Sequence, residues 1–116
     1  MIIERHELEP ILANVVRAGS FVFTAGAIAD DVSLDVEGQT RQALADLDKY
    51  LDKCGSSKSH ILSAVIWLAD IRLRDAMNKA WLAWVDPANL PARACVEMRM
   101  ADPCCLVEIQ IVAARA

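Results

Sequence analysis

The spacing of apolar residues along the chain divides it into segments of different structure. Near the start, short runs rich in β-forming residues are separated by turn residues, and Gly19-Ser20 lies between the runs 14–18 and Phe21–Thr24. This pattern predicts a strand over Ile2–His6 followed by a β-hairpin. Gly26 comes directly after the last run, which indicates a backbone that turns there or approaches another group closely.

The middle of the chain has helical periodicity on either side of an apolar run. From Asp35 onward, apolar residues recur at three- and four-residue spacings, which predicts an amphipathic helix with Asp35 as N-cap and Gly55 as its C-terminal stop. The run Ile61–Ala69 is apolar at nearly every position, as in a strand covered on both faces. A second helix is predicted over Leu73–Val85. Its apolar stripe consists of Met77, Ala80, Trp81 and Trp84.

The last quarter of the chain alternates between polar and apolar residues. This alternation predicts two strands, Ala92–Met100 and Cys105–Ala113, joined by a tight turn that contains Pro103. The order of elements is then β-β-β-α-β-α-β-β, which is typical of an α+β two-layer fold. We expect one domain over residues 1–116, because a chain of this length has no room for a second core.

The predicted C-terminal hairpin has a definite register. It places Glu97 opposite Glu108 and Arg93 opposite Val112. Arg93 and Glu108 then lie about four positions apart along the ladder, or roughly 13 Å. A small-molecule site that used both side chains would therefore be shared between two subunits. The register also places two carboxylates side by side, which costs stability unless a cation or a proton relieves one of them.

Composition and charge exclude several classes of protein. Hydrophobic residues make up 55% of the chain, which excludes intrinsic disorder and, in so small a domain, suggests contacts between subunits. The net charge of −4 makes nucleic acid a poor partner. No apolar run is long enough to span a membrane, and acidic residues stand near the N-terminus where a signal peptide needs an apolar stretch. We therefore expect the cytosol.

Most residues with reactive side chains also have an ordinary structural interpretation. An arginine such as Arg93 on a sheet face is usually solvated or paired, and Glu108 fits the outward half of an alternating strand. The three tryptophans are expected in the core and in subunit contacts. Cys104-Cys105 lacks the spacing of a zinc site, so no metal is expected. Without a secretory signal, all four cysteines are expected to be reduced thiols: Cys54, Cys95, Cys104 and Cys105.

Six short segments nevertheless resemble the YjgF/RidA family in order and approximate spacing, over nearly the whole chain. The segment 76–85, together with the ending 107–114, is most similar to the YoaB-type branch of that family. The six segments are Phe23-Thr-Ala-Gly26, Gly38-Gln-Thr-Arg-Gln42, the run Ile61–Asp70, Met77-Asn78, Pro91-Ala-Arg-Ala-Cys-Val96 and Val107-Glu-Ile109.

The resemblance implies a fold, an assembly and an activity. The fold is chorismate-mutase-like, and the assembly is a homotrimer with its helices outside a barrel-like centre. Clefts between adjacent subunits bind small carboxylates. Members similar to RidA hydrolyse reactive enamines and imines to 2-oxo acids and ammonia, without a metal or organic cofactor.

The resemblance also implies roles for individual residues. The carboxylate-binding arginine falls on Arg93 and the water-positioning acid on Glu108. The glycine whose backbone lines the pocket falls on Gly26. The cysteine of the Pro-Ala-Arg strand falls on Cys95, and a helix asparagine near the mouth falls on Asn78.

The chemistry of imine hydrolysis suits such residues. A guanidinium offers parallel donors that match a carboxylate. A protonated imine is already electrophilic at carbon, so the site needs mainly a held water and a group that moves its proton. Glu108 is the candidate for that proton transfer.

The chain departs from the family pattern at the pocket wall. Ala25 and Ala27 stand where RidA-type members have Ser and Gln, and Leu12 stands near the position of a pocket tyrosine; the only tyrosine here, Tyr50, lies on a predicted helix. Two functions therefore stay open, an imine deaminase and a trimeric module that binds 2-oxo acids without turnover. A ribonuclease role, proposed for some relatives, is disfavoured by the negative charge and by the lack of a basic aromatic strip.

Overall fold

The computed structural model describes residues 1–116 and contains six strands and two helices in the predicted order. Short 3₁₀ turns at Lys58–His60 and Ile71–Leu73 precede β4 and α2. The mixed α+β class is confirmed. The elements are β1 (Ile3–Leu8), β2 (Ala13–Ala18), β3 (Phe21–Thr24), α1 (Val36–Lys53), β4 (Ile61–Leu68), α2 (Arg74–Trp84), β5 (Ala92–Glu97) and β6 (Val107–Ala114).

Helix α1 begins and ends where its sequence predicts. Asp35 Oδ1 accepts a hydrogen bond from Gly38 N at 2.8 Å, which satisfies one of the free N–H groups of the first turn. Gly55, just past the helix, has a φ of +72°, a conformation that favours glycine. The apolar stripes of α1 and α2 both pack on one face of the sheet. Their buried residues include Leu44, Leu47, Leu51, Met77 and Trp81.

The sheet has the order β1-β2-β3-β6-β4-β5, so β5 and β6 do not form the hairpin that the sequence predicts. β4 lies between them, parallel to β5 and antiparallel to β6. β4 Ala64 pairs with Arg93, and β4 Trp67 pairs with Glu108. The predicted pairs of Glu97 with Glu108 and of Arg93 with Val112 are therefore wrong.

The connection from β5 to β6 passes over the end of β4 instead of making a tight turn. Met98 N donates to Leu68 O at 2.8 Å as the chain leaves β5, and Ala69 N donates to Leu106 O at 3.0 Å as it returns. β4 is the most continuously apolar strand, and an interior position in the sheet buries it better than an edge position would. That gain outweighs the short-range pairing of a hairpin.

Gln39 of α1 holds this connection in place. Its side chain is fully buried, its Nε2 donates to Cys104 O at 3.1 Å, and its Oε1 accepts from Leu106 N at 2.9 Å. The same Nε2 also donates to Leu34 O at 3.0 Å. A buried amide with all these partners satisfied has a structural role, which accounts for one of the segments that carry the family resemblance.

The two faces of the sheet differ in cover. The helices bury one face, and we call the other the open face. β4 is therefore covered on one face only within a single chain: Ile66 is buried, whereas Trp67 on the open face is half-buried. No helix is long and apolar enough to cross a membrane. The open face carries Ile3, Phe21, Phe23, Val65, Trp67, Val96, Glu108, Gln110 and Val112.

Candidate functional site

Arg93 lies on the edge strand β5 and faces helix α2. Its Nη1 donates to Asn78 Oδ1 at 2.7 Å, and its guanidinium carbon lies 5.3 Å from the centre of the Trp81 ring. Asn78 and Trp81 are three residues apart on α2 and therefore project from the same face of the helix. The two contacts orient the guanidinium through a hydrogen bond and a cation–π interaction.

The remaining donors of Arg93 have no protein partner. No carboxylate of the chain pairs with Arg93, and its Nε and Nη2 make no hydrogen bond within the chain. A cavity of about 290 Å³, which we call the Arg93 cavity, opens beside it between α2 and β5. An oriented guanidinium with free N–H groups can bind a carboxylate through two parallel hydrogen bonds. The cavity is lined by Asn78, Trp81, Leu82, Leu90, Pro91 and Arg93.

Cys95 lies two residues beyond Arg93 on the same side of β5. Its thiol is free, and the residue is half-buried and packs against the hydrophobic core. It does not line the Arg93 cavity. The structure thus brings Asn78 and Arg93 into direct contact and leaves Cys95 as their neighbour along the strand.

Glu108 and Gly26 form a second close arrangement at β6. Ala27 and Ile109 exchange two backbone hydrogen bonds, at 2.8 and 3.0 Å, which fix the segment after β3 against β6. A Cβ atom added at Gly26 would lie 2.7 Å from Glu108 Cδ and 2.8 Å from its Cγ. Glycine is therefore required here so that the Glu108 carboxylate can occupy this position.

The two arrangements are separated within one chain. Their pairing partners on β4 are three residues apart, and β4 itself lies between their strands. The α-carbons of Arg93 and Glu108 are therefore about 14 Å apart, and the side chains project from opposite faces of the sheet. Glu97 is not beside Glu108 either, because its Oε1 accepts a hydrogen bond from Ile71 N at 3.0 Å on the helix side.

A separate cavity of about 350 Å³, which we call the Gly26 cavity, lies between α1 and the loops around Gly26. Leu12 lines it, as does Tyr50 from α1. Burial raises the pKa of Asp46, and the nearby carboxylate of Asp30 raises it further. Burial also raises the pKa of Tyr50, and nearby carboxylates add to that effect. The cavity wall is acidic, so it is a poor place for a carboxylate ligand. It is lined by Glu9, Leu12, Asn14, Gly26, Ala27, Ile28, Asp30, Asp46 and Tyr50.

Sequence reasoning missed the contact between Trp81 and Arg93, and it missed that Tyr50 lines the Gly26 cavity. It placed Trp81 in the core, where the residue is indeed buried, but not beneath the guanidinium of Arg93. The i, i+3 spacing of Asn78 and Trp81 signals a common helix face, although only the position of β5 shows what that face meets. No group of three or more His, Cys, Asp or Glu side chains is arranged to hold a metal ion.

Comparison with known proteins places this chain among its relatives. The family described as Endoribonuclease L-PSP matches residues 7–115. The chain is 40% identical over 114 residues to the RutC family protein YoaB of Escherichia coli, an alignment that covers 98% of this chain and 99% of YoaB. The chain belongs to the YjgF/RidA family.

Other YjgF/RidA relatives agree with this assignment over the same length. A RutC family protein of Haemophilus ducreyi is 40% identical over 112 residues, covering 97% of this chain and 96% of the relative. The crystal structure of NMB1025 from Neisseria meningitidis, a member of the YjgF protein family, superposes with a TM-score of 0.97 at 39% identity. That superposition covers 100% of this chain and 97% of NMB1025. The fold described above is therefore that of the family.

Proposed function

We propose that this YjgF/RidA family member hydrolyses 2-imino acids to 2-oxo acids and ammonia, in clefts between the subunits of a homotrimer. The observation that carries the proposal is the state of Arg93. Its guanidinium is held in place by Asn78 and Trp81, has no ionic partner within the chain and lies in a cavity of small-molecule size. Such a group is suited to bind a carboxylate and to fix its orientation.

The trimer is supported by the open face of the sheet. Phe21, Phe23 and Val96 are each between 43% and 47% exposed there, although they lie in regular strands of the sheet. Several exposed apolar side chains on one face of a small protein indicate an interaction site. When the open faces of several copies of the chain pack together, these residues become buried. The same packing supplies the neighbouring subunit that a shared cleft requires.

The shared cleft is supported by the separation of the two charged groups. Arg93 lies on the helix side of the edge strand β5, and Glu108 projects from the open face. One chain cannot bring them to the same small molecule. In the proposed cleft, Arg93 of one subunit binds the substrate carboxylate while Glu108 of a neighbour faces the imine carbon.

The proposed reaction needs only these groups and one water molecule. Glu108 accepts a proton from the water while the water oxygen bonds to the carbon of the protonated imine. The product of this step is a carbinolamine. Proton transfer to the amino nitrogen then allows the C–N bond to break, and ammonia leaves as the hydroxyl proton is lost and the C=O bond forms. The products are a 2-oxo acid and ammonia. Binding the carboxylate at Arg93 holds the reacting carbon at a fixed distance from the water.

A non-catalytic module for 2-oxo acids is the second candidate, favoured by one observation. Leu12 lines the Gly26 cavity, so the position of the RidA-type tyrosine supplies no hydroxyl there. A site with an intact carboxylate clamp but without this hydroxyl can bind a 2-oxo acid without activating water. We do not propose ribonuclease activity, because the net charge is −4 and Arg93 is the one basic residue of its cavity.

The test generates imino acids in place with an amino-acid oxidase and catalase, and traps them with semicarbazide. An active deaminase lowers the yield of semicarbazone by competing for the imino acid. We expect Arg93→Ala to lower kcat/KM by about 10- to 100-fold, because it removes charge-assisted hydrogen bonds to the substrate. Arg41→Ala, which removes the same charge from the exposed face of α1, serves as the matched control.

Two results count against the proposal. If the Arg93→Ala variant keeps wild-type activity, the Arg93 guanidinium does not bind the substrate carboxylate as proposed. A wild-type protein that does not consume imino acids, yet binds 2-oxobutanoate in calorimetry, supports the binding module instead.

A further inference from the structure

We infer that the site prefers 2-imino acids that carry a bulky hydrocarbon side chain, because Leu82 and Leu90 form an apolar wall in the Arg93 cavity. This inference rests on the proposed function and specifies its substrate class. Leu90 lies outside the segments that carry the family resemblance, and Leu82 lies within the segment 76–85.

The polar groups of the Arg93 cavity are confined to one place. Of the six lining residues, only Arg93 and Asn78 have polar side chains able to make several hydrogen bonds, and these two are bonded to each other at 2.7 Å. The other lining side chains are Trp81, whose ring lies beneath the guanidinium, and three wholly apolar ones. Those three are Leu82, Leu90 and Pro91.

A carboxylate bound at Arg93 brings the substrate side chain to this apolar wall. In a 2-imino acid only one carbon separates the carboxylate from the side chain, so a substrate fixed at the guanidinium cannot direct its side chain far from the cavity. Leu82 and Leu90 are 72% and 66% exposed, so water contacts them in the single chain. A hydrocarbon side chain that displaces this water gains free energy in proportion to the apolar area covered.

Other side chains gain less. A methyl group covers little of the two leucines. An anionic side chain finds no second cation, because Arg93 is the only charged residue that lines the cavity. A polar side chain loses hydrogen bonds to water without gaining partners from the wall. The volume of about 290 Å³ is at the lower end for ligand sites, which suits one molecule of amino-acid size.

The experiment compares imino acids made from leucine, alanine and glutamate in the semicarbazide assay. For the wild-type protein we expect kcat/KM for the leucine-derived substrate to exceed the value for either of the others by about tenfold. In the double variant Leu82→Ser/Leu90→Ser, we expect kcat/KM to fall about tenfold for the leucine-derived substrate and less than about twofold for the alanine-derived one.

Leu8→Ser is the matched control. Leu8 is 70% exposed, like the two leucines of the wall, but it lies on β1 at the opposite edge of the sheet from β5. We expect this variant to change neither value of kcat/KM. Light scattering on every variant shows whether the change alters the assembly.

The outcomes separate this inference from the proposed function. Equal rates for leucine- and alanine-derived substrates, or an equal loss for both in the double variant, overturn the preference and leave the deaminase intact. A double variant with altered molar mass and lower activity on both substrates shows that the leucines contact a neighbouring subunit, which also overturns it. If no imino acid is consumed, the proposed activity fails. Calorimetry then decides the preference, since 4-methyl-2-oxopentanoate must bind about tenfold more tightly than pyruvate for it to stand.

Discussion

Arg93 and Glu108 project from opposite faces of the sheet, with the interior strand β4 between their strands. Arg93 pairs across the ladder with Ala64, and Glu108 with Trp67. Neither side chain forms an ion pair within the chain. The fold thus keeps an oriented cation and a carboxylate apart, each beside its own supporting residue: Asn78 for Arg93 and Gly26 for Glu108. The two supporting residues can be tested separately.

Replacing Asn78 by Asp is expected to weaken carboxylate binding more than replacing it by Ala. The alanine variant frees Arg93 Nη1 and lets the guanidinium move, which we expect to raise the Kd for 2-oxobutanoate about threefold to tenfold. The aspartate variant adds a carboxylate at hydrogen-bond distance that neutralises the guanidinium and competes with the ligand. We expect a further increase in Kd of about tenfold, measured by calorimetry.

Gln42→Glu is the control for the change from an amide to an acid. Gln42 lies on α1 and accepts a hydrogen bond from Asp31 N at 2.9 Å, an acceptor role that glutamate keeps. This variant is expected to bind 2-oxobutanoate like the wild type. Equal Kd values for Asn78→Ala and Asn78→Asp would show that the ligand does not bind at Arg93.

Gly26→Ala is expected to displace the Glu108 carboxylate with little effect on the fold. The added Cβ overlaps the Glu108 side chain, and a carboxylate at the end of a flexible side chain can move away cheaply. We expect kcat for imine hydrolysis to fall about 10- to 100-fold, as for Glu108→Gln, while KM changes little. Gly38→Ala, on α1, is the control and should leave both kinetic constants unchanged. A Gly26→Ala enzyme with normal kcat contradicts the role of Glu108 in moving the proton.

The parts of this fold that follow from neighbouring residues could be predicted from the sequence. Helix α1 is an example, because its periodicity, the Asp35 cap and the Gly55 stop all agree. The hairpin of β2 and β3 is another, with Ala18 paired to Phe21 across the predicted turn. In each case the residues that decide the structure lie within a few positions of each other.

The position of β5 could not be predicted in this way. The sequence 101–104 suits a tight turn, but Gln39, 65 residues before Cys104, helps to hold the connection across the end of β4. No local pattern reports such a distant contact. The sequence predicted the wrong neighbour for β5, so it could not predict that Arg93 stacks on Trp81. The spacing of Asn78 and Trp81 was nevertheless visible in the sequence. The expected separation of Arg93 and Glu108 holds in the structure, but for a different geometric reason.

Phe23→Asp is expected to weaken the proposed homotrimer. Phe23 lies on the open face opposite Val16 and Val112, and burying an unpaired carboxylate there between subunits costs several kcal/mol. We expect light scattering at micromolar concentration to show a trimer for the wild type and smaller species for Phe23→Asp. Ala83→Asp places the same charge on the exposed side of α2 and should keep the wild-type mass. A wild-type monomer would remove both the trimer and the shared cleft.

Asp46→Asn is expected to stabilise the protein near neutral pH and to lose that effect in acid. Burial and the neighbouring Asp30 raise the pKa of Asp46 above its value in the unfolded chain, so the folded state favours the protonated carboxyl. The ionised group therefore opposes folding above this raised pKa. The penalty disappears as the pH falls through the raised pKa toward the unfolded value of about 3.9. An amide never ionises, so the variant should have a Tm higher by about 2 °C at neutral pH and equal to the wild type below about pH 3.

Asp52→Asn, an exposed position on the same helix, should leave Tm nearly unchanged across this range. An Asp46→Asn variant that is less stable at neutral pH would instead mean that the ionised carboxylate makes a favourable contact in the Gly26 cavity.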